Sequence, residues 1–216
     1  MQKKNLIRFM DSFVLLPLLT MSMPFNGFIN NIVKTDINSY PQVVLAKKQN
    51  TEKDALVASN QAKEAAIQIN DLKAKAIDAY FEDRNMPLKG VGKKMVEEAE
   101  KNDLDYRLLP AIAVRESTGG RHACIMVPNN PFGWGSCKIG FSSNDKAIET
   151  VARNLGGNNP NTDHHYANKT TKEILQKYNP PSIVPKYAEQ VMGIMDVIGA
   201  AEITLNTNVV AINDSK

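Results

Sequence analysis

A carboxylate near the end of an apolar helix pattern is the first candidate for chemistry. Glu116 follows Leu108, Leu109, Ile112 and Ala113, whose spacing is typical of one buried helix face. A carboxyl group beside apolar side chains loses solvation, and this loss raises its pKa. A carboxyl that stays protonated near neutral pH can act as a general acid. The competing interpretation is a solvated glutamate paired with a neighbouring arginine, which spacing alone would favour.

The segment after this helix pattern contains groups suited to binding a sugar. Two glycines stop the helix, and the stretch Asn129–Cys137, NNPFGWGSC, has the composition of a loop. An exposed ring such as Phe132 or Trp134 can stack on the apolar face of a sugar. An amide such as that of Asn130 can bond hydroxyl or N-acetyl groups. The alternative for Phe132 is a ring that plugs the core from the loop side.

Three motifs along the chain belong together. The helix ends in E-S-T-G-G at Glu116–Gly120, the loop contains N-P-F-G at Asn130–Gly133, and Tyr178 precedes the last apolar helix pattern. This ordered set resembles the endo-β-N-acetylglucosaminidase family of peptidoglycan hydrolases (mannosyl-glycoprotein endo-β-N-acetylglucosaminidase-like), within the lysozyme-like superfamily. The resemblance covers roughly residues 77–198. It departs from the family at Asn179-Pro180, where the family has a small residue followed by an acidic one.

The resemblance implies a mainly α, lysozyme-like domain with a small loop or hairpin region. It implies Glu116 as the general acid and Tyr178 as a second catalytic group. Substrate contacts are then expected from the side chains of Ser117, Asn130, Phe132 and Trp134. Ser117 lacks the surroundings of a nucleophile, so we also consider that it orients Glu116 or satisfies the backbone at the helix end. Tyr187, on the stripe of the last helix, is interpreted as a core residue.

No motif identifies a second carboxylate. Asp145, Glu149 and Asp163 follow the loop, but none stands in a recognisable pattern. Glycoside hydrolysis commonly uses two carboxylates. Enzymes of this resemblance can work with one, and the substrate's N-acetyl group or a positioned water then completes the reaction. No cofactor and no metal site is expected, because the adjacent His164 and His165 point apart.

Two cysteines, Cys124 and Cys137, flank the aromatic loop. In an exported protein they are expected to form a disulfide that closes this loop beside Glu116. The alternative is a pair of buried free thiols. A zinc site is disfavoured because no C-x-x-C pair completes a set of four ligands.

The N-terminus has the pattern of an export signal. Lys3, Lys4 and Arg8 precede the apolar run Phe13–Phe25, so residues 1–25 are predicted to be a signal peptide or membrane anchor. Residues 26–74 are predicted to form a linker and helical stalk, residues 75–199 the lysozyme-like domain, and residues 200–216 an unstructured polar tail. The protein is therefore expected to be exported to the cell envelope, either anchored to the membrane or extracellular.

The composition narrows the functional classes. The chain has 216 residues, is 43% hydrophobic and has a formal net charge of +3, which suits one folded domain with extensions. The small positive charge, without a block of Lys or Arg, argues against nucleic acid as a partner and is compatible with an anionic cell wall or membrane surface. Outside the helix of Glu116, helices are expected over residues 51–83, 92–101, 144–154 and 171–177 and from Pro185 onward.

These observations favour a hydrolase of peptidoglycan, or of a related glycan that contains N-acetylglucosamine. It would cut β-1,4 bonds adjacent to N-acetylglucosamine, with Glu116 as general acid. A muramidase or a lytic transglycosylase is the alternative within the same class, because a helix-end Glu-Ser is common to all three. A glycan-binding module without catalysis is the alternative from a different class.

Overall fold

The structure, a computed structural model, describes the backbone of residues 40–213 and the side chains of residues 56–207. The proposed signal peptide or anchor over residues 1–25 lies outside the described residues, as does the linker up to residue 39. Contacts divide the chain into Met1–Gln49 and Asn50–Lys216, and every side chain discussed below belongs to the second unit. No helix within residues 40–213 is both long and apolar enough to span a membrane.

The described residues form seven helices and no strand, which confirms the mainly α class. The helices are α1 (Tyr40–Asp83), α2 (Gly92–Lys101), α3 (Leu108–Ser117), α4 (Asn144–Leu155), α5 (Asp163–Tyr166), α6 (Thr171–Tyr178) and α7 (Tyr187–Asn213). Two helices begin at a side-chain cap. Ser143 accepts a hydrogen bond from the backbone of Lys146, and Thr170 forms a capping box with Glu173.

Helix α1 is uninterrupted, because its sequence is rich in Ala, Lys, Glu and Gln and has no glycine or proline beyond Pro41. All its side chains from Leu56 to Ile69 are exposed, and burial begins at Ala74. From there Ile77 and Phe81 enter the core. The stalk and the predicted start of the domain near residue 75 are therefore two parts of one helix.

Helix α3 lies at the centre of the domain and packs against α2, α4 and α7. Every residue from Leu108 to Ala113 is buried, which explains why this helix is apolar on all sides. It ends because Thr118 turns into the left-handed region with φ +53°, and Gly119 and Gly120 continue in that region. A Cβ at Gly119 would lie 2.7 Å from Met86 Sδ, so only glycine fits there. The last turn of α3 therefore lies at the edge of the core.

Two expectations about local structure are wrong, and a third is decided between its alternatives. Of the small loop or hairpin region, the structure has the loop, because residues 121–143 form turns and no strand. The tail expected to be unstructured is helical as far as Asn213, since no glycine or proline interrupts it after Gly199. Pro185 precedes the last helix, which begins at Tyr187.

Candidate functional site

Glu116 lies in the last turn of α3 and is half-buried. Its two carboxylate oxygens have different surroundings. Oε1 accepts a hydrogen bond of 2.6 Å from the Tyr187 hydroxyl. Oε2 faces Gly133, where an added Cβ would lie 3.2 Å away. One oxygen is therefore fixed by the core, and the other is directed toward the loop.

Tyr187 is the first residue of α7, and packing of α7 against α3 brings its side chain to Glu116. The ring is only 2% exposed, so the prediction of a core residue is confirmed. Sequence reasoning missed that its hydroxyl bonds the carboxylate. Burial, and then the bond to Glu116, raise the pKa of Tyr187 far above its usual value. The phenol therefore keeps its proton and remains a donor to Oε1.

Three aromatic side chains form a row beside Glu116. Trp134 and Tyr178 have ring centroids 5.8 Å apart with planes inclined by 43°. Tyr178 and Tyr187 are stacked, with centroids 6.1 Å apart and an interplanar angle of 11°. Contacts of this kind stabilise the rings beyond simple burial. The row thus extends from Trp134 in the aromatic loop to Tyr187, which is hydrogen-bonded to Glu116.

The hydroxyl of Tyr178 donates to the backbone carbonyl of Phe132. Burial raises the pKa of Tyr178 well above its usual value, with a smaller contribution from the negative charge of Glu116. Tyr178 therefore donates a hydrogen bond to the loop backbone, whereas the hydrogen bond to Glu116 comes from Tyr187. Tyr178 lines the same cleft as Glu116, and a catalytic role for it stays a prediction.

Two residues predicted to bind substrate instead build the loop. Asn130 is fully buried, and its Nδ2 donates to the carbonyls of Trp134 and Ile139 while its Oδ1 accepts from the Trp134 backbone. Phe132 is also fully buried, in contact with the hydrophobic core. The prediction that they contact substrate is therefore wrong, because neither side chain has a free surface to offer. The alternative considered for Phe132, a ring that closes the core from the loop side, is the arrangement found.

Ser117 is buried at 3% exposure, so the predicted substrate contact is wrong for it as well. Its Oγ accepts from the backbone of Gly120 and lies 2.7 Å from the Pro131 carbonyl. The alternative interpretation, a serine that satisfies backbone groups at the helix end, agrees with these bonds. Ser117 thereby connects the end of α3 to the aromatic loop.

Cys124 and Cys137 form a disulfide, as expected, with their Cα atoms 5.4 Å apart. The bond encloses the segment that contains Asn130, Phe132 and Trp134. Disulfides are typical of proteins in oxidising compartments, so this bond is a hint of export. It also limits how far the loop can move away from the end of α3.

These elements surround an open cleft of about 490 Å³, within the size range of small-ligand sites. Glu116, Trp134 and Tyr178 from the predicted set line it. The further lining residues, which were not among the predicted site residues, are Gly133, Gly135, Ser136, Tyr166, Asn179, Pro180 and Ile183. Among these described lining residues Glu116 is the only carboxylate. The cleft therefore combines one acid, several aromatic walls and a few neutral polar groups.

The other carboxylates that were considered lie elsewhere. Asp145, Glu149 and Asp163 do not line the cleft, and Glu149 pairs with Lys146 at 2.9 Å. Among the side chains of residues 56–207, no group of three or more His, Cys, Asp and Glu is arranged to hold a metal ion.

Comparison with known proteins adds no relative. No protein-family model, no curated protein and no solved structure matches this chain.

Proposed function

We propose that this protein is a glycoside hydrolase with a lysozyme-like fold, exported to the cell envelope. It cleaves β-1,4 bonds adjacent to N-acetylglucosamine in peptidoglycan or a related glycan, with Glu116 as general acid. The observation that supports this most is the half-buried Glu116, bonded to Tyr187 at the base of an aromatic-walled cleft. The E-S-T-G-G and N-P-F-G motifs agree with this proposal in their order along the chain.

The surroundings of Glu116 suit proton donation to a leaving group. Tyr187 donates to Oε1, so in the neutral acid the proton resides on Oε2, the oxygen that faces Gly133. Oε2–H donates to the glycosidic oxygen as the bond from that oxygen to the anomeric carbon breaks. The departing sugar leaves as an alcohol, Glu116 becomes a carboxylate, and the anomeric carbon passes through an oxocarbenium-like state.

Completion of the reaction needs a nucleophile that the cleft walls do not provide as a second carboxylate. The carbonyl oxygen of the substrate's own N-acetyl group can attack the anomeric carbon, and water then opens the resulting ring. Alternatively, a water attacks directly. In both cases water adds a hydroxyl to the anomeric carbon, and its second proton returns Glu116 to the neutral form.

The aromatic walls suit a sugar chain. Trp134 is partly buried against the core yet lines the cleft, so its remaining surface can stack on a pyranose ring. Ser136 and Asn179 provide neutral hydrogen-bonding groups at the same cleft. A binding module without catalysis is less well supported, because binding alone would not need a carboxylate whose one oxygen is held by Tyr187 while the other faces the loop of the cleft.

The test is release of reducing ends from purified peptidoglycan by the wild type and by Glu116→Gln. This substitution keeps the shape of the side chain and removes the proton that is donated. Turnover should fall by a factor on the order of 10²–10⁴. The matched control is Glu97→Gln on the exposed side of α2, which should retain wild-type turnover. Near wild-type turnover in Glu116→Gln would refute the role of this acid.

Mass spectrometry of the products distinguishes the reactions that one carboxylate allows. Reducing N-acetylglucosamine ends identify a glucosaminidase, and reducing N-acetylmuramic acid ends identify a muramidase. A lytic transglycosylase leaves an intramolecular anhydro end, which is lighter by one water because the sugar's own hydroxyl replaces the incoming water.

A further inference from the structure

The most exposed large apolar side chains of the described region lie together at the disulfide. Ile125 is 98% exposed and Met126 is 88% exposed, and both follow Cys124 directly. Full burial of such a side chain stabilises a folded protein by about 1.5–3 kcal/mol, and neither position gains this stabilisation here. An adjacent pair with so little cover is typical of a surface that meets an apolar partner.

Basic residues flank this pair along the chain and across the disulfide. Lys138 follows Cys137, whose Cα lies 5.4 Å from that of Cys124. On the other side, the Arg121 guanidinium donates to the carbonyl of Asn85, at 2.8 Å, and to that of Arg84.

The turn that follows Arg84 contributes a further cation. The backbone of Leu88 donates to the carbonyl of Gly119 at 3.0 Å, which places Lys89 beside the same segment. We call Lys89, Arg121 and Lys138 the basic rim.

The basic rim has few carboxylates near it in the chain. No Asp or Glu occurs between Arg84 and Lys94, or between Ser117 and Asn144. The carboxylates that border these stretches are Glu82, Asp83, Glu97, Glu116 and Asp145, and Asp78 accepts a hydrogen bond of 2.8 Å from the backbone of Gly90, next to Lys89. Between Ser117 and Asn144, the segment that carries the apolar pair therefore has no acidic side chain beside Arg121 and Lys138.

We propose that this surface binds an anionic lipid bilayer, with Ile125 and Met126 inserted below the headgroups and the basic rim at the lipid phosphates. Aliphatic side chains gain free energy in the acyl region, and each basic residue near an anionic leaflet adds to the attraction. A soluble wall polyanion would use the cations equally well but would leave both aliphatic side chains in water. The exposed pair therefore favours a bilayer.

Membrane contact at this position has a consequence for the cleft. The disulfide-closed segment that begins with Ile125 also contains Gly133 and Trp134, which line the cleft. Contact of Ile125 with a bilayer would therefore hold the cleft close to the membrane surface. This inference concerns lipid binding alone, so its outcome is independent of any glycosidase activity.

Tryptophan quenching by brominated phospholipids tests the insertion directly in the full chain. Trp134 is the only native tryptophan, so Trp134→Phe gives a silent background. Ile125→Trp on that background places the probe at the proposed contact, and Ile203→Trp, at a position 69% exposed on α7, is the matched control. Vesicles containing brominated anionic lipid should quench the probe at position 125 much more than the probe at position 203. Zwitterionic vesicles should quench both weakly.

A paired charge reversal tests the basic rim. Lys89→Glu with Lys138→Glu should reduce quenching at position 125 severalfold, since each basic residue contributes about fivefold to partitioning. Lys169→Glu with Lys177→Glu changes the net charge equally on other exposed positions and should leave the quenching unchanged.

Equal quenching at positions 125 and 203, or equal loss from the two charge reversals, would overturn the proposal. So would a probe at position 125 that responds to a soluble anionic wall polymer but not to brominated lipid, which would identify the polymer as the partner.

Discussion

Tyr187→Phe removes one hydroxyl and leaves the ring that packs in the core. That hydroxyl donates a hydrogen bond of 2.6 Å to Glu116 Oε1. Glu116 becomes a carboxylate as it gives up its proton, and a hydrogen bond to such a charged group contributes about 1.5–3 kcal/mol. The stacking of this ring on Tyr178 persists in the variant, because the hydroxyl takes no part in it. The substitution therefore isolates the bond that fixes the candidate acid.

The expected effect on catalysis follows from the strength of that bond. Suppose that the whole free energy of this hydrogen bond serves to hold Oε2 against the glycosidic oxygen. Its loss should then lower kcat by roughly 10- to 100-fold, since about 1.4 kcal/mol corresponds to a factor of ten. KM should change little, because Tyr187 is not among the residues that line the cleft. The free energy of unfolding should fall by only about 1 kcal/mol, because water can reach the half-buried Glu116.

The assay is the rate of reducing-end release at several concentrations of soluble glycan, together with thermal unfolding of each variant. Tyr80→Phe is the matched control, since Tyr80 is a buried tyrosine that packs in the core away from the cleft. A kcat within twofold of wild type in Tyr187→Phe, beside a strong loss in Glu116→Gln, would refute the positioning role. A loss of stability equal to the loss of activity would make Tyr187 a packing residue alone.

Three other predictions concern the loop. Gly133→Ala should remove most of the activity, because the φ of +63° at this position disfavours alanine and the new Cβ would lie 3.2 Å from Glu116 Oε2. Steady-state kinetics measures the loss of activity, and circular dichroism checks that the variant is folded. Trp134→Ala should weaken glycan binding while the thermal midpoint changes only slightly, as titration with soluble glycan and a thermal scan will measure. Unchanged binding with a large loss of stability would make Trp134 a core residue. Reduction of the Cys124–Cys137 disulfide should lower the free energy of unfolding by about 3 kcal/mol, measured by denaturant titration with and without reductant.

The two tyrosines beside the cleft carboxylate are expected to contribute little to the pH dependence of the rate. Burial keeps the phenols of Tyr178 and Tyr187 protonated well above neutral pH, since the pKa of each is raised. Neither tyrosine is therefore expected to lose its proton near neutral pH.

Local sequence determined most of the helices. Helix α2 has the predicted bounds, Gly92–Lys101, and α4 begins after Ser143 as expected. These features depend on periodicity and on capping groups within a few residues of one another, which a single sequence displays directly. The disulfide was predictable for a similar reason, since the two cysteines of the chain allow only one pairing.

Only the tertiary structure decided which polar and aromatic groups face the cleft. The bond between Tyr187 and Glu116 joins residues 71 positions apart, and it exists because α7 packs against α3. Asn130 and Phe132 stand in the same loop as Trp134, yet only Trp134 lines the cleft, because the loop folds two of its three side chains inward. Loop residues have no periodicity that marks an inner and an outer face. Their exposure is decided by what packs against them, and that depends on the whole fold.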